Sequence, residues 1–113
     1  VGEYRFTSLA RYDLEARVLS VARYRLGREA HLSPLDFVLG WGPMSDDEVL
    51  RHLDIRHVNR FYGVSSREPP LPLPALMEHS ANVHLIPADE DVERALRGID
   101  EHDVVRLTGT LVK

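Results

Sequence analysis

The segment His79-Ser80-Ala81-Asn82-Val83-His84 places a hydroxyl, an amide and two imidazoles in one short stretch, the groups that nucleophilic acyl transfer uses. Read as a strand, it puts Ser80, Asn82 and His84 on one face and Ala81, Val83 and Leu85 on the other. Ser80 and His84 are then about 13 Å apart at ~3.3 Å per residue, well beyond the ~3 Å of a serine–base hydrogen bond. His57 could reach Ser80 only through strand pairing, and no Gly-x-Ser-x-Gly turn is present. A small hydrolase with a His-centred site is therefore an alternative. It stands behind a reading in which these side chains satisfy buried backbone groups or line a small pocket.

Six histidines also raise metal binding. The pairs His52/His57 and His79/His84 are each five apart, which in a strand puts them on opposite faces, and neither His-x-His nor His-x-x-x-His occurs. A site would have to be assembled across strands, for example from His57 with His79 or His84 and Asp54 or Glu78. The acids of Asp89-Glu90-Asp91 with Glu93 suit the positive end of a helix without any ion. No cofactor is implied, and no residue is assigned as catalytic or as a metal ligand.

Two further segments suit recognition. Trp41 lies between Gly40 and Gly42 ahead of Pro43-Met44, where it can stack on a partner or close over the core, with Arg60 stacked on it or on Tyr62. Asn59, Arg60 and Tyr62 follow His57. The candidate binding residues are thus Trp41, His57, Asn59, Arg60, Tyr62, His79, Ser80, Asn82 and His84, serving an unknown protein or small-molecule ligand.

Positioning them falls to short elements. Tyr12, Leu14, Ala16 and Val18 alternate with charged residues as in a half-buried strand that runs on to Gly27. Leu19 and Val21 then change parity, which predicts a bulge or sharp bend near Leu19-Ser20, with Tyr24 resuming the first face. A brief strand is expected near 35–40, and a helix over about 45–53 opening on a Ser45/Glu48 capping box. One strand is expected over 56–64. Residues 66–76, with four of the seven prolines, read as an extended connector. A strand over 78–86, a helix over 89–98 with Gly98 at its C′ position, and a last strand from Val104 complete five strands and two short helices. The fold class is mainly β with two short helices, α+β. The order of elements and the bent first strand look like a small, partly open OB-like β-barrel, a shape compatible with many functions.

The chain of 113 residues has 14 basic and 18 acidic side chains, a net charge of −4 and no cysteine. Disulfides, thiol catalysis and cysteine-based metal sites are excluded. Residues 1–60 balance nine arginines with nine carboxylates, while residues 61–113 set five cations against nine, so the acidity lies in the second half. Nucleic-acid binding is disfavoured by that balance, and weak single-stranded binding by the barrel face is a second alternative. No run reaches the ~18 apolar residues of a membrane span.

The segments Leu-Gly-Trp-Gly-Pro-Met-Ser-Asp (39–46), Asn-Arg-Phe-Tyr (59–62) and His-Ser-Ala-Asn-Val-His-Leu-Ile-Pro-Ala (79–88) resemble a family of small uncharacterised bacterial proteins, often predicted to be membrane-anchored or exported. That resemblance spans roughly residues 33–113. It implies a periplasmic or cell-envelope setting and a further strand after this end. The expectation is one domain over 1–113, trimmed at one or both ends, whose open sheet edge could form an oligomer. It would act as a non-enzymatic binding or assembly module.

Overall fold

The computed structural model describes residues 8–24, 35–58 and 60–112. The alternation from Tyr12 to Val18 becomes the first half of β1 (Ser8–Arg23), the longest strand. β1 pairs antiparallel with β2 (Leu35–Gly40) along its second half and with β6 (Val104–Val112) along its first. β5 (Ser80–Leu85) flanks β2, so the sheet order is β5-β2-β1-β6. The sheet curls as an open half-barrel, and the domain is mainly β with short helices. The expected bulge is present: Val18 faces Leu39 and Ser20 faces Val38, leaving Leu19 as the extra residue. Only Leu19 changes face for the core. Val21 returns to the side of Val18, and Tyr24 lies with the opposite set, contrary to the simple parity reading. Gly27, expected to end this strand, lies outside the described residues; β1 itself ends at Arg23.

Residues 56–64 are not one strand. They belong to an antiparallel hairpin, β3 (Asp54–Val58) and β4 (Phe61–Ser65), which forms a separate two-stranded sheet. Nor is the proline-rich stretch wholly extended. α2 (Leu73–Met77) begins at Pro72, because a proline in the first helical turn gives up a donor that has no intrahelical acceptor. α1 (Asp47–Leu50) follows a 3₁₀ turn over Gly42–Ser45. Its cap is Asp46, whose carboxylate accepts from Glu48 N–H, whereas the Ser45 hydroxyl turns back to donate to Gly42 O. α3 (Glu90–Arg97) starts as expected on an acidic turn, with Asp89 accepting from Val92 N–H. Gly98 is its C-cap with right-handed backbone (φ −87°) and does not use a glycine's conformational freedom. The described chain therefore holds three short helices rather than two.

Both faces of β2 are covered, which is why all six of its residues are buried. Leu35, Phe37 and Leu39 join Ala16, Val18, Leu85 and Leu96 in one core, on the side covered by α3. On the opposite side Leu19, Val38, Met44 and Leu76 form a second core under the hairpin, α1 and α2, with Ile55, Tyr62 and Val64 packed on it. No helix among the described residues is long and apolar enough to cross a membrane.

Candidate functional site

The register of the central strands lines up polar side chains on the hairpin side of the sheet. Val38 lies between Ser20 on β1 and Asn82 on β5, and Asp36, one step along the same face, lies between Ala22 and His84. His57, on the inward face of β3, reaches over this strand. Its Nδ1 is 2.8 Å from Ser20 Oγ and its Nε2 is 3.0 Å from Asn82 Oδ1.

The partners at the far end dictate the direction of every bond in the row. Asn82 Nδ2 faces the carbonyl of Arg60 at 2.8 Å and Asp36 Oδ2 at 3.4 Å, both of which only accept. Its Oδ1 must therefore accept from His57, which places that proton on Nε2. In the neutral ring Nδ1 is then an acceptor, so the Ser20 hydroxyl donates to it. Ser20 is 6% exposed, and the chain Ser20–His57–Asn82 joins the β3 strand to two strands of the sheet.

Asp36 is the hub. Its carboxylate is wholly buried, between Leu35 and Phe37 in sequence. Arg60, in the turn of the hairpin, donates from Nη1 to Oδ1 at 2.8 Å; on Oδ2, Tyr24 OH donates at 3.2 Å and His84 Nδ1 stands at 2.9 Å. The Arg60 guanidinium also lies over the Tyr24 ring, 3.6 Å from its centroid, rather than on Trp41 or Tyr62. Burying a carboxylate alone costs several kcal/mol, so the four side chains around Asp36, one of them the permanent cation Arg60, are what make its position tolerable.

Of the residues singled out in the sequence, His57, Arg60, Asn82 and His84 are brought together. Tyr62 and Ser80 form a neighbouring pair, hydroxyl to hydroxyl at 2.8 Å. His79 stands apart with Nδ1 on Ala75 O at 2.8 Å, and its ring edge passes 3.1 Å from where a Cβ of Gly42 would be. Trp41 packs half-buried on the first core, and its backbone N–H donates to His79 O. Asn59 lies outside the described residues. Asp36, Ser20 and Tyr24 were not anticipated. The signal for Asp36 was a carboxylate in an otherwise apolar strand, Leu35-Asp36-Phe37-Val38-Leu39.

Among the described residues, no group of three or more histidine, aspartate or glutamate side chains could hold a metal ion. Two shallow surface grooves, one beside Arg51, Asp54 and Ser65 and one along Tyr12 and Thr108–Thr110, are lined by no member of the polar row. The row is closed by the hairpin, whose outer face is different in kind. Val58 and Phe61 face each other across the strand pair and are 61% and 76% exposed. No family model, curated protein or solved structure matches the chain.

Proposed function

We propose that this domain is a non-enzymatic binding module of the bacterial cell envelope, and that the end of the β3–β4 hairpin is its contact surface. The observation that carries the reading is the exposed Val58/Phe61 pair beside Arg60, which is held by Asp36, Tyr24 and, through its carbonyl, Asn82. A large aromatic side chain exposed on an anchored turn loses little conformational entropy on binding, and aromatic anchors dominate protein interfaces. The partner chemistry that fits is an apolar pocket on another protein. The buried row beneath keeps the hairpin in place rather than meeting the ligand. The envelope setting rests on the resemblance of the 39–46 and 79–88 segments.

A photo-crosslinking residue at position 61 of the full-length protein, expressed in a bacterium, tests this. The expected result is one discrete adduct in the envelope fraction, absent when the crosslinker stands at Arg67, and weakened about 30-fold in competition by a Phe61→Ser chain. No adduct, or the same adduct from position 67, overturns it.

A second reading draws on the order hydroxyl, imidazole, amide in Ser20–His57–Asn82, which is that of a nucleophile, its base and an orienting group. It needs solvent to reach Ser20 Oγ beneath the hairpin, where Ser20 is 6% exposed. Labelling by a fluorophosphonate that disappears in Ser20→Ala supports it; no labelling of the folded protein removes it.

A further inference from the structure

Among the described residues, the backbone polarity of the β1–β6 ribbon leaves the β6 edge of the sheet without a ladder partner. Val18 donates to Asp103 O at 2.8 Å and accepts from His102 N–H at 2.7 Å, so both of its backbone groups point toward β6. Alternation carries this along the ladder: Ala16, Leu14 and Tyr12 bond inward to Val105, Leu107 and Gly109. The intervening residues of β6, Arg106, Thr108 and Thr110, therefore turn their N–H and C=O groups outward. No described strand pairs with that edge.

The edge lacks the usual protections. Val104–Val112 contains no proline, no lysine and no acid, and its register with β1 advances one for one from Val104 to Leu111. Its single charge, Arg106, is engaged by Asp13 at 2.6 and 2.9 Å. Val104 and Leu111 are 67% and 53% exposed.

We infer that β6 pairs antiparallel with β6 of a second copy of this chain about a two-fold axis through Thr108, the midpoint of the strand. In that register Thr108 meets the partner's Thr108 and Arg106 meets the partner's Thr110, in hydrogen-bonded pairs. On the apolar face Val105 meets the partner's Leu111, and Leu107 meets the partner's Gly109. Apolar faces apolar throughout, no like charges oppose each other, and the side-chain-free position takes the leucine. The stretch of β1 before Arg17, which no described strand pairs on its β2 side, is a poorer candidate. Its outward residues Arg11, Asp13 and Glu15 are all charged, and pairing there runs into β2 at Arg17. The product would be one continuous eight-stranded sheet, closing the edge in a self-complementary interface.

Sedimentation velocity of the full chain over a wide concentration range reads the assembly. The expected result is a reversible dimer. Thr108→Pro removes an N–H from the outer edge alone, and Thr108→Lys sets two ammonium groups on the axis, so each raises the dimer dissociation constant about tenfold or more while circular dichroism stays unchanged. Because the chain is cysteine-free, Thr108→Cys gives a clean second readout: it oxidises to a covalent dimer, and Glu15→Cys does not. A wild-type chain that stays monomeric at all concentrations overturns the inference. So does a dimer that survives both Thr108→Pro and Thr108→Lys, or that fails to crosslink through Cys at position 108.

Discussion

Asp36, with no exposed surface, meets Arg60 at 2.8 Å across the boundary between the four-stranded sheet and the hairpin. The two residues are on elements that share no backbone ladder. The pair therefore does for the hairpin what strand pairing does within each sheet, fixing where one sits on the other.

Removing the carboxylate leaves Arg60, Tyr24, His84 and Asn82 aimed at a cavity, while removing the guanidinium leaves a buried charge without its cation. Asp36→Ala and Arg60→Ala should each destabilise the domain by about 3–5 kcal/mol, the range for breaking one side of a buried ion pair. The double variant should cost clearly less than the sum, because neither charge is then stranded. Urea unfolding of the four proteins checks this; additive effects would mean that the pair is not coupled.

His57 should carry a proton on Nε2, since Asn82 Oδ1 can only accept from that nitrogen once its own amide faces the Arg60 carbonyl and Asp36. Long-range ¹H–¹⁵N spectra distinguish the two ring nitrogens directly. An Nε2 without a proton would refute the bond directions of the row. Ser20→Ala removes the donor to Nδ1 and should cost about 1 kcal/mol.

β2, buried on both faces, and β6 were legible in the sequence as short apolar runs bounded by turn residues, whereas β1 and β5 were legible because period-2 burial is a local property. The bulge was legible for the same reason, as a break in that period at Leu19. The hairpin was not, because Val58-Asn59-Arg60-Phe61 carries neither glycine nor proline, and its reversal is held by Arg60 reaching a residue far away in sequence. α2 was hidden by prolines that a first helical turn accepts. The polar row was half visible. Asn82 and His84 advertised themselves by alternation on β5, but that Ser20 and His57 flank Val38 depends on register between strands that no local pattern encodes. Asp36 stood out as a carboxylate in an apolar run, but the partners that surround it come from distant elements and left no local trace.

Gly40 is a packing requirement rather than a flexible link. A Cβ there would fall on Met44 O and stand 2.7 Å from Leu19 Cδ1 and 3.0 Å from Met44 Cβ. Backbone cannot give way as a side-chain tip can, so Gly40→Ala should destabilise by about 3 kcal/mol, at the upper end of overpacking. Gly63, whose Cβ would meet nothing within 4 Å, is the control: Gly63→Ala should be within about 0.5 kcal/mol of the parent. Thermal unfolding of the two variants side by side reads the difference, and equal effects would refute the close packing of Gly40 on Met44.

The exposed pair Asp13–Arg106 gives the ribbon a pH signature. The hydrogen bond from Arg106 holds the Asp13 carboxyl below its ordinary range, against a small opposing effect of burial. A carboxyl lowered in the folded state favours folding above the unfolded-state value, and that contribution is lost as pH falls through the folded-state value. The pair is solvated, so its effect on overall stability is small and screened by salt. The titration itself is the sharper measurement. Carboxyl ¹³C shifts should place the Asp13 midpoint below the ordinary aspartate range, and Arg106→Gln should return it to that range. An unchanged midpoint in that variant would mean that Arg106 is not the cause.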